Sequence, residues 1–213
     1  MHGRENSRLG WKRGAGAAIA VLLASGFAAS NAGATEPYSE SPLPFRIEPY
    51  TQTSRPFWEI DEIRAGVFKQ AIDDAPHEGT AALNLEILGG RFPGGYDNSI
   101  LEFLLTPRPH IGTTLAFGKT DEFYWGVTWD AKLFERTFFE ASFGGAAHDG
   151  PTSATIGEAS YGCVVNFRES ASLGYSLTPQ LRLMATIDHM SNGGLCHPNR
   201  GLTNAGIRLG YRW

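Results

Sequence analysis

Residues 181–213 read LRLMATIDHMSNGGLCHPNRGLTNAGIRLGYRW, and the alternation inside this stretch decides the fold. Leu181, Leu183, Ala185 and Ile187 share one face at period two, while Arg182, Met184, Thr186 and Asp188 share the other. After a loop the alternation resumes. Ala205, Ile207, Leu209, Tyr211 and Trp213 oppose Asn204, Gly206, Arg208, Gly210 and Arg212. An apolar face ending on aromatic residues, with arginines behind it, suits the wall of a membrane barrel. The count also carries His189 and Ser191 onto the apolar face. A base and a hydroxyl on the oily side are costly there unless they are paired or used.

The segments upstream follow the same rule. Ile111, Thr113, Leu115 and Phe117 alternate with glycine, threonine and alanine. Phe123, Trp125, Val127 and Trp129 follow, and then Phe139, Ala141 and Phe143. A soluble sandwich would turn these large residues into a core. A small barrel turns them to lipid and keeps small and polar groups for its lumen. The expected strands cover residues 60–69, 81–106, 111–118, 123–130, 139–144, 163–177, 181–191 and the last stretch to 213. The second is read as one long strand interrupted by the Gly/Pro cluster at 89–95. Short turns at Pro107, Lys132 and Pro179 fall on one side. Longer loops at Gln70, Ala146 and Gly193 fall on the other, with the short turn at Lys119 an exception. The expected fold is therefore all-β: an eight-stranded antiparallel transmembrane outer-membrane β-barrel.

Residues 1–34 read as a secretory signal peptide: Arg4, Arg8, Lys12 and Arg13 precede a short alanine-rich apolar run and a small-x-small site at 32–34. Residues 35–57 form a Pro-rich N-terminal segment, with Tyr38, Phe45 and Tyr50 available to tack it to the barrel end, and 58–213 form the barrel. Removing the leader takes away four basic residues and Glu5, leaving 14 basic against 21 acidic side chains, a balance of −7. Such an acidic exported chain is a poor partner for nucleic acid, which needs a basic patch. His110, His148 and His197 lack metal-ligand spacing. No Gly-x-Ser-x-Gly elbow or phosphate loop is present, so neither metal nor cofactor is expected.

His189 and Ser191 lie two apart on a strand and project to the same side, which is compatible with a base activating a hydroxyl. The plainer reading puts both in the headgroup layer at the strand's end, where polar groups are ordinary. A three-residue turn at 178–180 pairs positions 177 and 181. That register places Glu169, a carboxylate in the row Val165, Phe167, Ala171, Leu173, Tyr175, opposite His189. It also places Cys163 opposite Leu195, one residue from Cys196. In an exported chain this predicts a Cys163–Cys196 disulfide.

The run Asp188-His189-Met190-Ser191-Asn192-Gly193, followed by Asn199-Arg200-Gly201-Leu202 and by residues 206–213, resembles the carboxy-terminal signature of the outer-membrane lipid A 3-O-deacylases, the PagL-like family. The match is strongest over about the last thirty residues. The resemblance implies His189 as base and Ser191 as nucleophile on the lipid-facing wall, with Asn192 among the oxyanion-stabilising surroundings. It also implies lipid A of the outer leaflet as substrate, and no cofactor. One position departs: the family glutamate that orients the histidine is Thr203 here. Three outcomes stay open. Glu169 supplies the acid instead, the site works as a dyad, or the chain is a non-catalytic barrel that keeps the scaffold. A soluble exported β-sandwich binding an apolar ligand is a third and weaker class.

Overall fold

The computed structural model describes residues 49–72, 80–153 and 159–213. The expected signal peptide, most of the Pro-rich segment with Tyr38 and Phe45, and the tip of the first loop lie outside the described residues. Eight strands run in order: β1 (Ile60–Lys69), β2 (Ala81–Gly89), β3 (Arg108–Ala116), β4 (Glu122–Lys132), β5 (Thr137–His148), β6 (Val165–Ser176), β7 (Leu181–Ser191) and β8 (Leu202–Arg212). Each pairs antiparallel with its neighbour, and β1 pairs with β8 from Glu62↔Arg212 to Lys69↔Ala205, so the sheet closes. Closure leaves no strand edge unpaired, which is what lets strands cross hydrocarbon. An eleven-residue strand such as β7, rising about 3.3 Å per residue and tilted about 40°, spans about 25 Å. That is the height of an outer-membrane apolar band. Leu181 and Ser191 therefore mark its two edges. Among the described residues no helix is long and apolar enough to cross a membrane.

Exposure follows the expected parity. Phe123, Trp125, Phe143, Phe167, Leu173, Ile187 and Ile207 all face outward and are exposed, whereas their chain neighbours are buried or, at Gly126, Gly144 and Gly206, half-buried. The lumen is filled by a charged network and by large side chains seated over glycines. Arg64 donates to Glu62 at 2.8 Å, Glu86 at 2.9 Å and Glu140 at 2.7 Å, and Arg108 reaches Glu62 and Asp61 at 2.8 Å. Buried charges are tolerable only when paired in this way. Phe68 occupies the space a side chain at Gly206 would need, Tyr124 that of Gly112 and Phe138 that of Gly174. The inward glycines thus admit large partners from the neighbouring strand, so the lumen is a packed interior rather than a channel.

The structure corrects the sequence reading at residues 81–106. Only Ala81–Gly89 is strand; after the Gly/Pro cluster comes a short helix, α1 (Ser99–Leu105). Asn98 caps it, its Oδ1 accepting from the N–H groups of Ile100 at 2.9 Å and Leu101 at 3.1 Å. Glu102, in the first turn, accepts from Gly95 and Tyr96 N–H, both at 2.9 Å. The apolar run 100–105 alternates poorly, and the cap signal at Asn98 decides the conformation. The turn at Pro107 is accordingly the end of a long connection that lies on the same side as the tight turns after β4 and β6.

The N-terminal segment closes that end. Tyr50 stacks on Phe138 with ring centroids 4.6 Å apart and donates to Ser176 Oγ, and Arg182 donates to Thr51 Oγ1 at 2.9 Å. Arg91 bonds both Thr51 O and Asp130 there.

Candidate active site

The site forms at the opposite end of the barrel, where the upper halves of β6, β7 and β8 lie side by side. Antiparallel pairing sets Glu169 across from His189, and His189 across from Thr203. All three point outward and are half-buried, in a belt whose other members are mostly exposed apolar groups. The sequence register thus predicted the Glu169↔His189 pair that the structure contains, and the same pairing sets Phe167 across from Ser191.

Behind this outward row sits an inward row on the adjacent residues. Arg168 donates to Asp188 at 3.0 Å, and Asn204 donates to Asp188 at 2.9 Å and to Glu122 at 3.3 Å. The Arg168 guanidinium also lies 3.7 Å from the centroid of the Tyr124 ring. All of these groups are buried. They tie β6, β7 and β8 together at the level of the outward row, which gives the catalytic candidates a rigid backing.

His189 Nδ1 lies 2.8 Å from Thr203 Oγ1. Glu169 makes no hydrogen bond or ion pair with the imidazole among the described residues. The register brings the carboxylate alongside, but the orienting contact goes to the threonine hydroxyl. Gly201, at the level of Ser191 across the β7–β8 hairpin, supports the other edge of the ring. A Cβ at Gly201 would lie 2.7 Å from His189 Nε2 and closer still to Cε1. The imidazole therefore spans from Thr203 toward the level of Ser191, with Nε2 at the nucleophile's end. Ser191 Oγ has no hydrogen-bond partner among the described residues.

The turn after Ser191 is held from inside. Asn192 is buried, and its amide is fully engaged. Nδ2 donates to Tyr161 O at 2.8 Å and Pro198 O at 3.2 Å, and Oδ1 accepts from Gly194 N at 2.8 Å and Cys196 N at 3.4 Å. Its own N–H donates to Asn199 Oδ1 at 3.0 Å. The side chain expected among the oxyanion donors is committed to the loop instead, because its two amide hydrogens already serve carbonyls. What it does is shape a turn in which Gly193 and Gly194 adopt φ of +61° and +86°, values that favour glycine. The Gly193 N–H has no partner among the described residues, and this glycine lies beside Phe167, the residue opposite Ser191.

Cys163 and Cys196 form the expected disulfide, with Cα atoms 5.5 Å apart. It joins the start of β6 to the loop after β7. Gly162, at φ +77°, packs against Asn192 and Pro198 in the same clamp, and Arg200 N–H donates to Ser160 O at 3.2 Å. The expectation of no metal site rested on spacing. In the structure His110 Nδ1 bonds Thr128 in the lumen, His148 bonds the Cys163 carbonyl, and His197 is exposed in the loop. Sequence reasoning missed Gly201, Asn199 and the Gly193 N–H. The first was findable, since the pairing of His189 with Thr203 sets residue 201 across from Ser191.

A closed eight-stranded barrel with an apolar outer belt defines a bacterial outer-membrane protein. The fold is that of the crystal structure of the outer membrane enzyme PagL, at 16% identity and a TM-score of 0.56 over 71% of this chain and 99% of that one. A de novo designed transmembrane β-barrel aligns at 12% identity, covering 72% of this chain and 95% of its own, with a TM-score of 0.43. The Ail attachment protein of Yersinia pestis aligns at 14% identity over 72% of this chain and 98% of that chain, with a TM-score of 0.41. No curated protein sequence matches. Residues 112–212, the stretch that carries every site residue described above, match the family model described as lipid A 3-O-deacylase (PagL).

Proposed function

We propose that this protein hydrolyses the 3-O-linked acyl ester of lipid A with Ser191 as nucleophile and His189 as general base. The observation that carries the reading is the His189 ring held between Thr203 Oγ1 and Gly201, on the same outward face as an unpartnered Ser191. With Nδ1–H donating to the threonine, Nε2 is the free base at the nucleophile's end. It takes the Ser191 proton as Oγ attacks the ester carbonyl, and returns it to the departing sugar oxygen. The acyl-enzyme is then hydrolysed by water activated by the same nitrogen. The oxyanion forms beside the Gly193 N–H, a donor left free by the turn that Asn192 builds. Thr203 orients the ring, its hydroxyl accepting from Nδ1–H in the tautomer this role needs. Glu169, alongside, stabilises the imidazolium through its charge rather than through the orienting bond.

Position in the band supports the substrate. Ser191 ends β7 at the edge of the apolar belt, where the ester linkages of a glycolipid sit, while the outward groups below it face acyl chains. Lipid A therefore reaches the site by lateral diffusion in its own leaflet, and the packed lumen takes no part in delivery. The rival, an inactive barrel, drew its force from the missing glutamate, and the hydrogen bond between His189 Nδ1 and Thr203 weakens it. Mass spectrometry of lipid A from cells with and without the protein tests the reading. Loss of one 3-O-linked acyl chain in its presence is expected. Unchanged lipid A with the folded barrel present in the outer membrane would overturn it.

A further inference from the structure

Parity separates the charged groups of the barrel into two populations. The arginines and, Glu169 apart, the acids of β1 to β8 point into the lumen or lie at its lower rim, as Arg212 does, and Lys132 lies at that rim too. Among the described residues of the strands, the outward-facing side chains able to carry charge near neutral pH are Lys69, Glu169 and His189. Two of these belong to the site already described. The third, Lys69, ends the outward row Ile63, Ala65, Val67 of β1. It pairs with Ala205 of β8, which pairs in turn with Ile187 of β7. One step of two residues along those strands leads from Ala205 to Thr203 and from Ile187 to His189. With strands about 4.8 Å apart and a rise of about 3.3 Å per residue, the Lys69 backbone lies about 12 Å from that of His189 on the same surface. A lysine stem and the imidazole together cover most of that span.

Thus the three charged outward groups lie within four consecutive strands: Glu169 on β6, His189 on β7 and Lys69 on β1, with Thr203 of β8 between the last two, and Lys69 is in register with Ile187, one step of two residues from His189. The rest of the belt is apolar or aromatic apart from hydroxyls such as Thr113, whose Oγ1 donates to Glu122 O. Lys69 is exposed, and its amine has no hydrogen-bond or ion-pair partner among the described residues. A lone ammonium at the edge of hydrocarbon can snorkel to the headgroups. Snorkelling alone does not explain why the single outward cation of the strands stands beside the one outward row that carries a base and a nucleophile.

We infer that Lys69 is an anion-binding subsite that holds a phosphate of the same lipid whose ester is presented to Ser191. The inference deepens the proposed function: the substrate is a phosphorylated glycolipid, and a charge-assisted contact to its phosphate would fix how the sugar lies across β8 and β7. Lys69 is a binding residue in this account and touches no reacting atom. A phospholipid headgroup carries the same chemistry, so the test must separate the two sources.

The test measures binding rather than turnover. Ser191→Ala protein and the Ser191→Ala/Lys69→Gln double variant are placed in neutral-lipid nanodiscs, and their affinities for bisphosphorylated lipid A and for chemically dephosphorylated lipid A are compared. Losing Lys69 should weaken binding of the phosphorylated form about tenfold, the scale of one charge-assisted contact near the headgroup layer. The dephosphorylated form should bind both variants alike, and Lys69→Arg should restore affinity. Equal affinities for the phosphorylated form, or equal losses for both forms, would overturn the subsite. So would displacement of lipid A by phosphatidylglycerol at matched concentration, which would assign Lys69 to bulk headgroups. Because binding is read in a serine-less protein, failure of the ester hydrolysis itself leaves a separate signature: phosphate-dependent binding without cleavage by the wild type.

Discussion

Replacing Gly201 with alanine should separate activity from stability at this site. A Cβ there would stand 2.7 Å from His189 Nε2, and nearer to Cε1, against an ordinary contact of about 3.4–4 Å. Backbone strain is not the issue, since Gly201 is not among the residues with positive φ. The atoms that must give way are those of a half-buried imidazole on the barrel's outer face, which can swing about its side-chain bonds into lipid. Relief requires a displacement of about 1 Å, and that displacement breaks the 2.8 Å contact with Thr203 and carries Nε2 away from Ser191. Misplacing a catalytic group by about 1 Å costs about a hundredfold in rate, or about 2.7 kcal/mol of transition-state stabilisation. Purified Gly201→Ala in detergent–lipid A micelles should show kcat lowered about a hundredfold with KM within a factor of two or three. Its heat-modifiable gel shift should match the wild type. A variant that keeps kcat within threefold would show that the imidazole is not held against Gly201, and the base assignment built on that contact would fall with it.

Ser191→Ala and His189→Ala should each abolish deacylation while leaving a folded, heat-modifiable barrel, and normal lipid A processing by either would remove the catalytic assignment. Thr203→Val should cost more turnover than Glu169→Gln, because the orienting bond goes to the hydroxyl. A loss of about 10²–10⁴-fold on Glu169→Gln with Thr203→Val near wild type would hand that role to the carboxylate. The Cys163–Cys196 bridge closes a loop over a separation of 33 residues, for which the chain-entropy estimate is about 3–4 kcal/mol. Cys163→Ser/Cys196→Ser protein should lose protection of the amides of residues 192–200 from hydrogen exchange, with the strands unchanged. Unaltered exchange in that loop would mean the hydrogen bonds of Asn192 suffice without the disulfide.

The alternation of residues 181–191 and 204–213 carried most of the fold. Side chains in a strand change faces at every residue, so a list of apolar positions is already a statement about which surface meets lipid. The same parity put His189, Ser191 and Glu169 on one face. The length of the turn at 178–180 then fixed a hairpin register that the structure reproduces, disulfide included. Residues 100–105 escaped this reasoning because a short apolar run has no reliable period, and a capping residue outside it, Asn98, settles its conformation. Thr203 was legible as a position but not as a partner. Pairing says which backbones are adjacent, whereas a hydrogen bond depends on rotamers and on which neighbour arrives at 2.8 Å. Asn192 was legible as a turn residue but its partners were not: its amide turns inward to carbonyls contributed by Tyr161 and Pro198. Those are loop contacts, without a repeat that sequence could reveal. Local periodicity therefore determined the wall and the row of residues upon it, and tertiary packing decided which of them hold the imidazole in place.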